Sequence, residues 1–256
     1  MAININRVYQ KVLALANKEQ RGYITPQEFN LFADHAQKDI FEQYFYDLDQ
    51  RQRAIGNELE YSDIISNIEE KIAMFTVVDE DPTTNANVVM TDGSFRVGMF
   101  ERFYRLGSIR ISYDTPFDHY KVVEKVPLNE ILKYQNSPLA APSKTNPLYT
   151  EFSGVSSAPA SGFDLRIRIY PPPDAAQIRV NYIKLPKVPQ WTYVISSTGV
   201  ALYNPTNQTQ HFELHHSEES NLVIKILQLA GVAIKDFNLA QVASQEEIKN
   251  IQQEKS

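Results

Sequence analysis

Residues 25–48 read TPQEFNLFADHAQKDIFEQYFYDL and combine a helix start with a long apolar stripe. Thr25 suits the N-cap position, Pro26 suits the first helical position, and Glu28 can reach back to the Thr25 amide. Beyond this capping box, apolar side chains recur at spacings of three and four: Phe29, Phe32, Ala33, Ala36, Ile40, Tyr44, Phe45 and Leu48. This spacing predicts a helix of roughly 25 residues with one apolar face, which requires a partner surface.

Helical patterns also occur before and after this segment. Residues 3–17 carry apolar side chains close to a 3.6-residue period, and residues 61–71 show a shorter run of the same kind. Near the C-terminus, Ser217 is the predicted N-cap of a helix whose apolar positions run from 222 to 234. The tail at 239–256 is rich in Gln and Glu, which indicates an exposed or partner-ordered helix.

The middle of the chain has the pattern of short strands and loops. Four short apolar runs are separated by Asp-Pro, Asp-Gly and proline-rich breaks: 75–78, 88–90, 108–113 and 120–126. Residues 136–161 are rich in Pro, Ser, Ala and Thr and predict an extended arm. Two alternating runs on either side of a triple proline predict an antiparallel hairpin over 163–184, with one buried face.

These patterns predict an α+β fold with three regions. An N-terminal helical region covers 1–73, a β-rich antiparallel insertion with extended loops covers 74–211, and C-terminal helices cover 212–256. We expect the C-terminal helices to pack with the N-terminal helical region, because both carry apolar faces. A chain of 256 residues, 43% of them hydrophobic, can bury such a core.

Charge and composition exclude several classes of function. With 31 acidic and 25 basic residues the net charge is −6, which argues against tight nucleic-acid binding but permits passive contact with DNA along an acidic wall. The absence of cysteine excludes disulfides, thiolate metal sites and cysteine nucleophiles, and it fits a protein made in a reducing cytoplasm. No apolar run approaches the ~20 residues that span a bilayer. We also expect no signal peptide at the N-terminus.

The clustered histidines raise a metal hypothesis. His211, His215 and His216 lie close together, but no single helix or strand presents all three on one face. The glutamate placement of a zinc-binding His-Glu-x-x-His motif is also missing. A solvated turn leading into the last helix is the favoured interpretation.

Two acidic segments do not predict a site either. The segment 47–58 resembles a calcium-binding loop, but Arg51 and Gln52 stand where a ligand and a glycine are required. The Asp-Glu-Asp-Pro cluster at 79–82 is interpreted as a solvated turn rather than a catalytic pair. No Gly-rich phosphate loop or nucleophile elbow occurs. The sequence therefore predicts no catalytic, cofactor-binding or metal-binding residue and no enzymatic activity.

Basic and aromatic residues alternate between positions 95 and 110. They are Phe95, Arg96, Arg102, Phe103, Tyr104, Arg105 and Arg110. Such a set could contact phosphate, but an amphipathic sheet with outward-facing charges is favoured because the chain is acidic overall.

Three segments together resemble one family of proteins. They are NKEQRGYITPQEFNLFADHAQKDIFEQYF (17–45), IYPPPDAAQIRVNYIKLPKVPQW (169–191) and FELHHSEESNLVIKILQLAGVAIKD (212–236). They are similar to segments of the structural ring proteins of crAss-like and related short-tailed bacteriophages. The matching features are a polar step into a capped helix, a hairpin with a proline-rich exit to tryptophan, and the closing helices. The three segments cover about a third of the chain, and residues 74–161 carry no such resemblance.

The resemblance implies a non-enzymatic virion protein of the head-to-tail connector or short tail. It implies a ring of about twelve copies, joined by heterologous contacts. Such a ring is expected to meet a portal protein or other tail and ring proteins, to assemble in the host bacterial cytoplasm, and to let genomic DNA pass through its lumen. The candidate contacts are the stripe 29–48, the arm 136–161 and the tail 239–256; for the stripe, packing within the chain is favoured.

Two alternatives remain open from the sequence. The β-rich middle, Trp191 and the fourteen tyrosines fit a carbohydrate- or receptor-binding tail module. A metal held by His211, His215 and His216 would instead fit a hydrolase. Glycan titration and metal analysis of the purified protein distinguish these alternatives from a ring subunit.

Overall fold

The structure is a computed structural model that describes most of the chain. The described residues are 3–18, 24–53, 59–81, 94–96, 102–114, 119–153, 165–172, 177–205, 208–233 and 249. They form an α+β fold, as predicted, in two compact units. The helical unit is Met1–Met74 with Pro186–Ser256, and the β-rich unit is Phe75–Leu185.

Five helices and ten strands lie in the described residues. The helices are α1 Ile5–Lys18, α2 Pro26–Arg53, α3 Leu59–Ala73, α4 Ile131–Gln135 and α5 Glu219–Ala233. The strands are β1 Thr76–Glu80, β2 Ser94–Arg96, β3 Phe103–Ser112, β4 Lys121–Val122, β5 Glu124–Lys125, β6 Leu148–Ser153, β7 Leu165–Tyr170, β8 Gln177–Lys184, β9 Tyr193–Ile195 and β10 Ala201–Tyr203. Within these ranges, no helix combines the length and apolar character needed to cross a membrane.

Helix α2 begins with the predicted capping box. The Thr25 amide donates to Glu28 Oε2 at 2.9 Å, and the Glu28 amide donates to Thr25 Oγ1 at 3.3 Å. These reciprocal bonds satisfy two amides that a helix start leaves without partners. The buried face of α2 is Phe29, Ala33, Ala36, Ile40, Phe41 and Tyr44. The helix continues to Arg53, so Asp47 and Arg51 lie on it and not in a calcium-binding loop.

Helix α1 is joined to the segment that precedes α5. Ile3 and Phe212 form an isolated antiparallel bridge, with 3.2 Å between nitrogen and oxygen in both directions. The Asn4 side chain accepts from the amides of Asn6 and Arg7 and so caps α1. The segment that begins α1 and the segment before α5 thereby belong to one core.

Helix α5 packs against α1 and α2. Its buried residues are Leu222, Val223, Ile226, Leu227 and Ala230. Glu219 lies 2.9 Å from Arg7 and 2.7 Å from Lys11. Glu218, just before the helix, lies 2.6 Å from Lys71 of α3. Both carboxylates are mostly buried, so the ion pairs are needed to neutralise their negative charge. The same pairs fix the orientation of α5 on α1 and α3.

The prediction that the Ser217 side chain caps this helix is wrong. A 3-10 turn, His216–Glu218, precedes α5, and His215 Nδ1 accepts from the Ser217 amide at 3.4 Å. The helical turn starts at His216, one residue earlier than a cap at Ser217 would allow. The Ser217 amide is therefore one of the first amides of the turn, which lack an acceptor within it, and His215 supplies that acceptor. Residues 234–248 and 250–256, with nearly all of the predicted tail, lie outside the described residues.

A proline-rich segment, 186–191, lies along α2, and we call it the strap. The buried Gln37 side chain of α2 donates through Nε2 to the Lys187 carbonyl at 2.7 Å. Its Oε1 accepts from the Glu213 amide at 3.0 Å. The carboxylate of Glu213 in turn accepts from the Lys187 amide at 2.9 Å. One buried amide group thus holds two segments that are far apart in sequence.

Asn30, two turns before Gln37 on α2, holds the other end of the strap. Its Nδ2 donates to the Trp191 carbonyl at 3.2 Å, and its Oδ1 accepts from the Trp191 amide at 2.8 Å. This side chain supplies both bonds that a neighbouring strand would supply. The predicted β-rich insertion extends to 211, whereas the β-rich unit ends at Leu185, because the strap and the residues after it bond to the helices.

The β-rich unit contains two four-stranded sheets. One has the order β1-β8-β3-β4 and is antiparallel; the other has the order β2-β7-β6-β5, in which β5 and β6 run parallel. Their shared core is Phe95, Ile109, Ile111, Val123, Tyr149, Ile167, Ile169, Ile178, Val180 and Tyr182. Burial, and to a lesser degree the charge of Glu151, raises the pKa of the Tyr149 phenol above its usual value.

Strands β7 and β8 match two predicted strands, but the predicted hairpin between them is wrong. Strand β7 pairs with β2 and β6, while β8 pairs with β1 and β3, so the chain passes from one sheet to the other between them. Their buried side chains, such as Ile167 and Val180, meet in the shared core. Alternation along a strand indicates which face is buried but not which strand is its neighbour.

The predicted arm at 136–161 is partly strand. Strand β6 lies inside it, pairs with β5 and β7, and buries Leu148, Tyr149 and Thr150. A strand of six residues with neighbours on both sides forms despite its Pro- and Ser-rich surroundings, because packing outweighs intrinsic propensity. Residues 154–161 of the arm, and the predicted strand at 88–90, lie outside the described residues.

Asn181, in the middle of β8, supports irregular points in both neighbouring strands. Its Oδ1 accepts from the Asp79 amide at 2.9 Å, and its Nδ2 donates to Ser108 Oγ at 3.0 Å. The registers of β1 and β3 shift at these two places, and Asp79 has a φ of 59°. Next to Ser108, a Cβ on Gly107 would lie 2.9 Å from the Asn181 carbonyl oxygen.

Gly107→Ala should therefore destabilise the β-rich unit. The added methyl group must displace the β8 backbone, which lowers the free energy of unfolding by about 1–3 kcal/mol. Hydrogen exchange of the β3 and β8 amides measures this loss. Ser153→Ala, at the exposed end of β6, is the control, and equal exchange in both variants would show that the close approach does not matter.

The capping box should be visible in the titration of Glu28. Bonds from the Thr25 amide and then from the Thr25 hydroxyl lower the pKa of this carboxyl. Its contribution to stability is therefore present above the pKa of the unfolded chain and is lost as pH falls through the lower, folded pKa. We expect Thr25→Ala to raise the pKa in an NMR titration, because the hydroxyl bond is lost. Thr25→Ser retains the hydroxyl and should leave the titration unchanged.

Candidate assembly surfaces

The clustered histidines contribute hydrogen bonds within the helical unit. His211 Nδ1 accepts from the Ile5 amide at 3.4 Å, at the start of α1, and His215 Nδ1 lies 2.8 Å from Ser217 Oγ. The rings of His215 and His216 are 4.1 Å apart between centroids. In the ranges that the structure describes, no three His, Asp or Glu side chains are grouped to hold a metal ion.

The predicted acidic turn is part of an ion-pair network in the β-rich unit. Asp79 is ion-paired with Arg110, and Asp81 lies 3.5 Å from Arg179. A hydrogen bond with the Tyr120 side chain is the main cause that raises the pKa of Arg179; burial opposes it, and the charges of Asp81 and Asp79 raise the pKa further. The network links the end of β1 to β3 and β8, so these charged side chains hold the strands of the sheet together.

The basic and aromatic residues near position 100 have separate environments. Arg102 donates to a backbone carbonyl of its own unit at 2.9 Å, and Arg110 is ion-paired. Phe95 is buried in the core, whereas Arg105 is exposed. The side chain of Arg96 lies outside the described part of the chain. The two paired arginines are thus engaged by the fold and do not present a joint surface for phosphate.

Trp191, which suggested glycan binding, is buried in the helical unit and only 2% exposed. Its ring centroid lies 4.1 Å from that of Tyr9. On its other side, the ring stacks with Tyr193 at 5.6 Å and with Tyr203 at 5.9 Å. The indole Nε1 donates to Asn6 Oδ1 at 3.1 Å. A covered ring with a satisfied N–H is not accessible for stacking on a sugar.

The chain after the strap forms a two-stranded hairpin, 193–203, that exposes apolar side chains. In its register Val194 faces Leu202, and both are exposed. Ile195 and Val200 near the tip are also exposed, Ile195 by 66%. The tyrosines of the hairpin stack on Trp191 and so anchor it to the helical unit. An isolated two-stranded hairpin is marginally stable in water, and this anchor supports it.

The hairpin lies in a stretch without charge. Residues 191–210 read WTYVISSTGVALYNPTNQTQ and contain no Asp, Glu, Lys or Arg, although 22% of the whole chain is charged. Exposed edge strands are usually protected by charge or proline. We did not predict this hairpin from its sequence; the missing charge and the short alternating runs are the signals that could have revealed it.

A second group of exposed apolar residues lies in the β-rich unit, at 127–142, which we call the leucine segment. Leu128, Leu132 and Leu139 are exposed, the last two by 65% and 99%. A small buried cluster anchors the segment: Val126, Ile131 and Leu148. The segment contains one Glu and one Lys and is therefore neutral. Its second half belongs to the predicted arm.

The two units differ in charge. Residues 75–185 contain twelve acidic and twelve basic residues, so the net charge of −6 belongs to the helical unit. The exposed face of α2 is part of this negative surface, with Asp39, Glu42 and Asp49 on the same side as Leu31 and Tyr46. Such a face repels phosphate.

Comparison with known proteins assigns no family to this chain. No protein-family model matches the sequence, and no curated protein matches it significantly. The exposed hairpin, the leucine segment and the charge difference between the units are therefore the features that bear on function.

Trp191 is the only tryptophan of the chain and reports on the strap. Asn30→Ala removes both bonds to the Trp191 backbone and should lower the free energy of unfolding by about 1–3 kcal/mol. We expect the Trp191 emission to shift to the red at a lower urea concentration. Gln27→Ala, at an exposed position of the same helix, should leave this midpoint unchanged. An unchanged midpoint in Asn30→Ala would show that the strap does not depend on Asn30.

Proposed function

We propose that this protein is a non-enzymatic virion structural protein, one subunit of a ring in the head-to-tail connector or short tail of a bacteriophage. The observation that supports this proposal most is the pair of neutral, exposed apolar surfaces on two different units of one chain. Apolar surfaces of this kind mark contacts with other proteins. The resemblance of three segments to phage ring proteins points in the same direction.

Assembly is the mechanism that these surfaces support. A subunit that offers different surfaces to its two neighbours makes heterologous contacts, which close into a ring when the rotation permits. The portal protein and other tail or ring proteins are the proposed neighbours above and below. The histidine cluster and the acidic turn, which could have suggested a metal site or a catalytic pair, form helix caps and ion pairs.

The charge distribution fits a channel for DNA. A helical unit with a net charge of −6 repels phosphate, so a duplex would slide past it without being held. Tight binding would require clustered Lys and Arg to release counterions. We therefore propose passive contact with genomic DNA in the lumen and assembly in the host bacterial cytoplasm.

The rival function, a carbohydrate-binding module, loses its main support. Its aromatic candidate, Trp191, is covered by Tyr9 on one side and by the hairpin tyrosines on the other. Glycan titration monitored by Trp191 fluorescence should therefore give no change. A saturable change would favour the rival.

The ring should be observed directly. We expect light scattering and negative-stain imaging of the purified chain, alone or with its portal protein, to show closed rings of about twelve copies. Antibody labelling of intact virions should locate the protein at the connector or tail. A protein that stays monomeric under both conditions and is absent from virions would contradict the proposal.

A further inference from the structure

We propose that His211 and His215 form a pH-sensitive clasp at two helix starts, that of α1 and that of the turn before α5. The clasp is closed while both rings are neutral and loosens when they take up protons. It is made of contacts within one chain of the helical unit, so it goes beyond the proposed ring and does not depend on it.

The His211 ring supplies a buried hydrogen bond at the start of α1. The first amides of a helix have no acceptor within the helix. The Asn4 side chain accepts from the amides of Asn6 and Arg7, and His211 Nδ1 accepts from the Ile5 amide at 3.4 Å. Ile5 is 0% exposed, so water cannot replace this acceptor when it is lost.

The backbone on either side of His211 joins α1 to the strap. Phe212 forms the bridge to Ile3, just before α1. Gln210 forms a second bridge to Gln190 of the strap, with 3.0 and 3.1 Å between nitrogen and oxygen in the two directions. Because His211 lies between these two bridges, a change at its ring acts on a segment that both α1 and the strap contact.

His215 supplies a second bond, which is more exposed. Its Nδ1 accepts from the Ser217 amide at 3.4 Å and lies 2.8 Å from Ser217 Oγ. Ser217 is exposed, so water can replace an acceptor that is lost there. We therefore expect His211 to contribute more to the clasp than His215.

A proton on Nδ1 removes the acceptor from either ring. A neutral imidazole has one nitrogen that accepts, whereas both nitrogens of an imidazolium donate. The positive charge would also lie at a helix N-terminus, where it is unfavourable. Both bonds are thus present at higher pH and are lost as the pH falls through the range in which histidines titrate, between about pH 8 and about pH 5.

The charges of the surrounding elements do not compensate for such a proton. In the ranges that the structure describes, neither the His211 ring nor the His215 ring forms an ion pair with a carboxylate. The ring centroid of His216 lies 4.1 Å from that of His215, and two protonated rings would repel each other.

The other charged groups of the elements around the clasp are already engaged. Glu213 accepts from a backbone amide of the strap. The remaining groups, on α1, α2, α3 and α5 and in the turn before α5, form ion pairs with one another: Arg7, Lys11, Asp34, Lys38, Lys71, Glu218 and Glu219.

Amide hydrogen exchange of the full chain tests the clasp. We expect the protection factor of the Ile5 amide, corrected for the intrinsic pH dependence of exchange, to fall about fivefold between about pH 7.5 and about pH 5.5, because one hydrogen bond is lost. The Ser217 amide should show a smaller fall. Equal protection of Ile5 at the two pH values would overturn the proposal.

Asparagine variants separate protonation from other effects of pH. The Asn side-chain oxygen accepts in place of Nδ1 but does not titrate, so His211→Asn should keep Ile5 protected at both pH values. His216→Asn, on a ring that accepts no backbone amide within the described residues, is the matched control and should retain the pH dependence. A pH dependence that persists in His211→Asn, or that disappears in His216→Asn, would contradict the clasp.

An NMR titration of the unmodified chain follows the same event without a substitution. We expect the ring signals of His211 and the amide signal of Ile5 to change along one titration curve. Trp191 emission should change with them, because the indole donates to Asn6 at the start of α1. An Ile5 signal that does not follow the ring would overturn the clasp. These measurements do not require assembly, so failure to form rings is a separate result.

Discussion

The hydrogen bonds from two amide side chains of α2 to the strap organise the helical unit. Asn30 and Gln37 replace the partner strand that the proline-rich backbone at 186–191 lacks, and Gln37 also bonds to the segment before α5. They place Trp191 against α1, and the tyrosines of the hairpin stack on that ring. The position of the hairpin therefore depends on bonds made by a helix far away in the sequence.

The β-rich unit follows a different principle, because its strands find their partners across long stretches of chain. Strands β7 and β8 are adjacent in sequence but belong to different sheets, and the apolar core between the sheets joins them. Asn181 secures the register of β8 by bonding to irregular points in both neighbouring strands. Gly107 is required where those backbones approach most closely.

Each unit combines internal ion pairs with one exposed apolar surface. Charged residues such as Asp79, Glu218 and Glu219 are ion-paired, which holds the elements of each unit together. The hairpin and the leucine segment are neutral and apolar, so they add little repulsion when copies meet. A net negative helical unit limits non-specific association with nucleic acid in the cell where such a protein would assemble.

The sequence by itself determined the α+β class, the helices α1, α2, α3 and α5, several strands and the capping box at Thr25 and Glu28, because these depend on local periodicity and short-range bonds. It did not determine that β7 and β8 lie in different sheets, that β6 runs through the predicted arm, or that His215 replaces Ser217 as a cap. It also did not reveal that Trp191 is buried while Val194 and Leu202 beside it are exposed. Only the tertiary structure decided these points, because strand partners and exposure depend on contacts between residues distant in the chain.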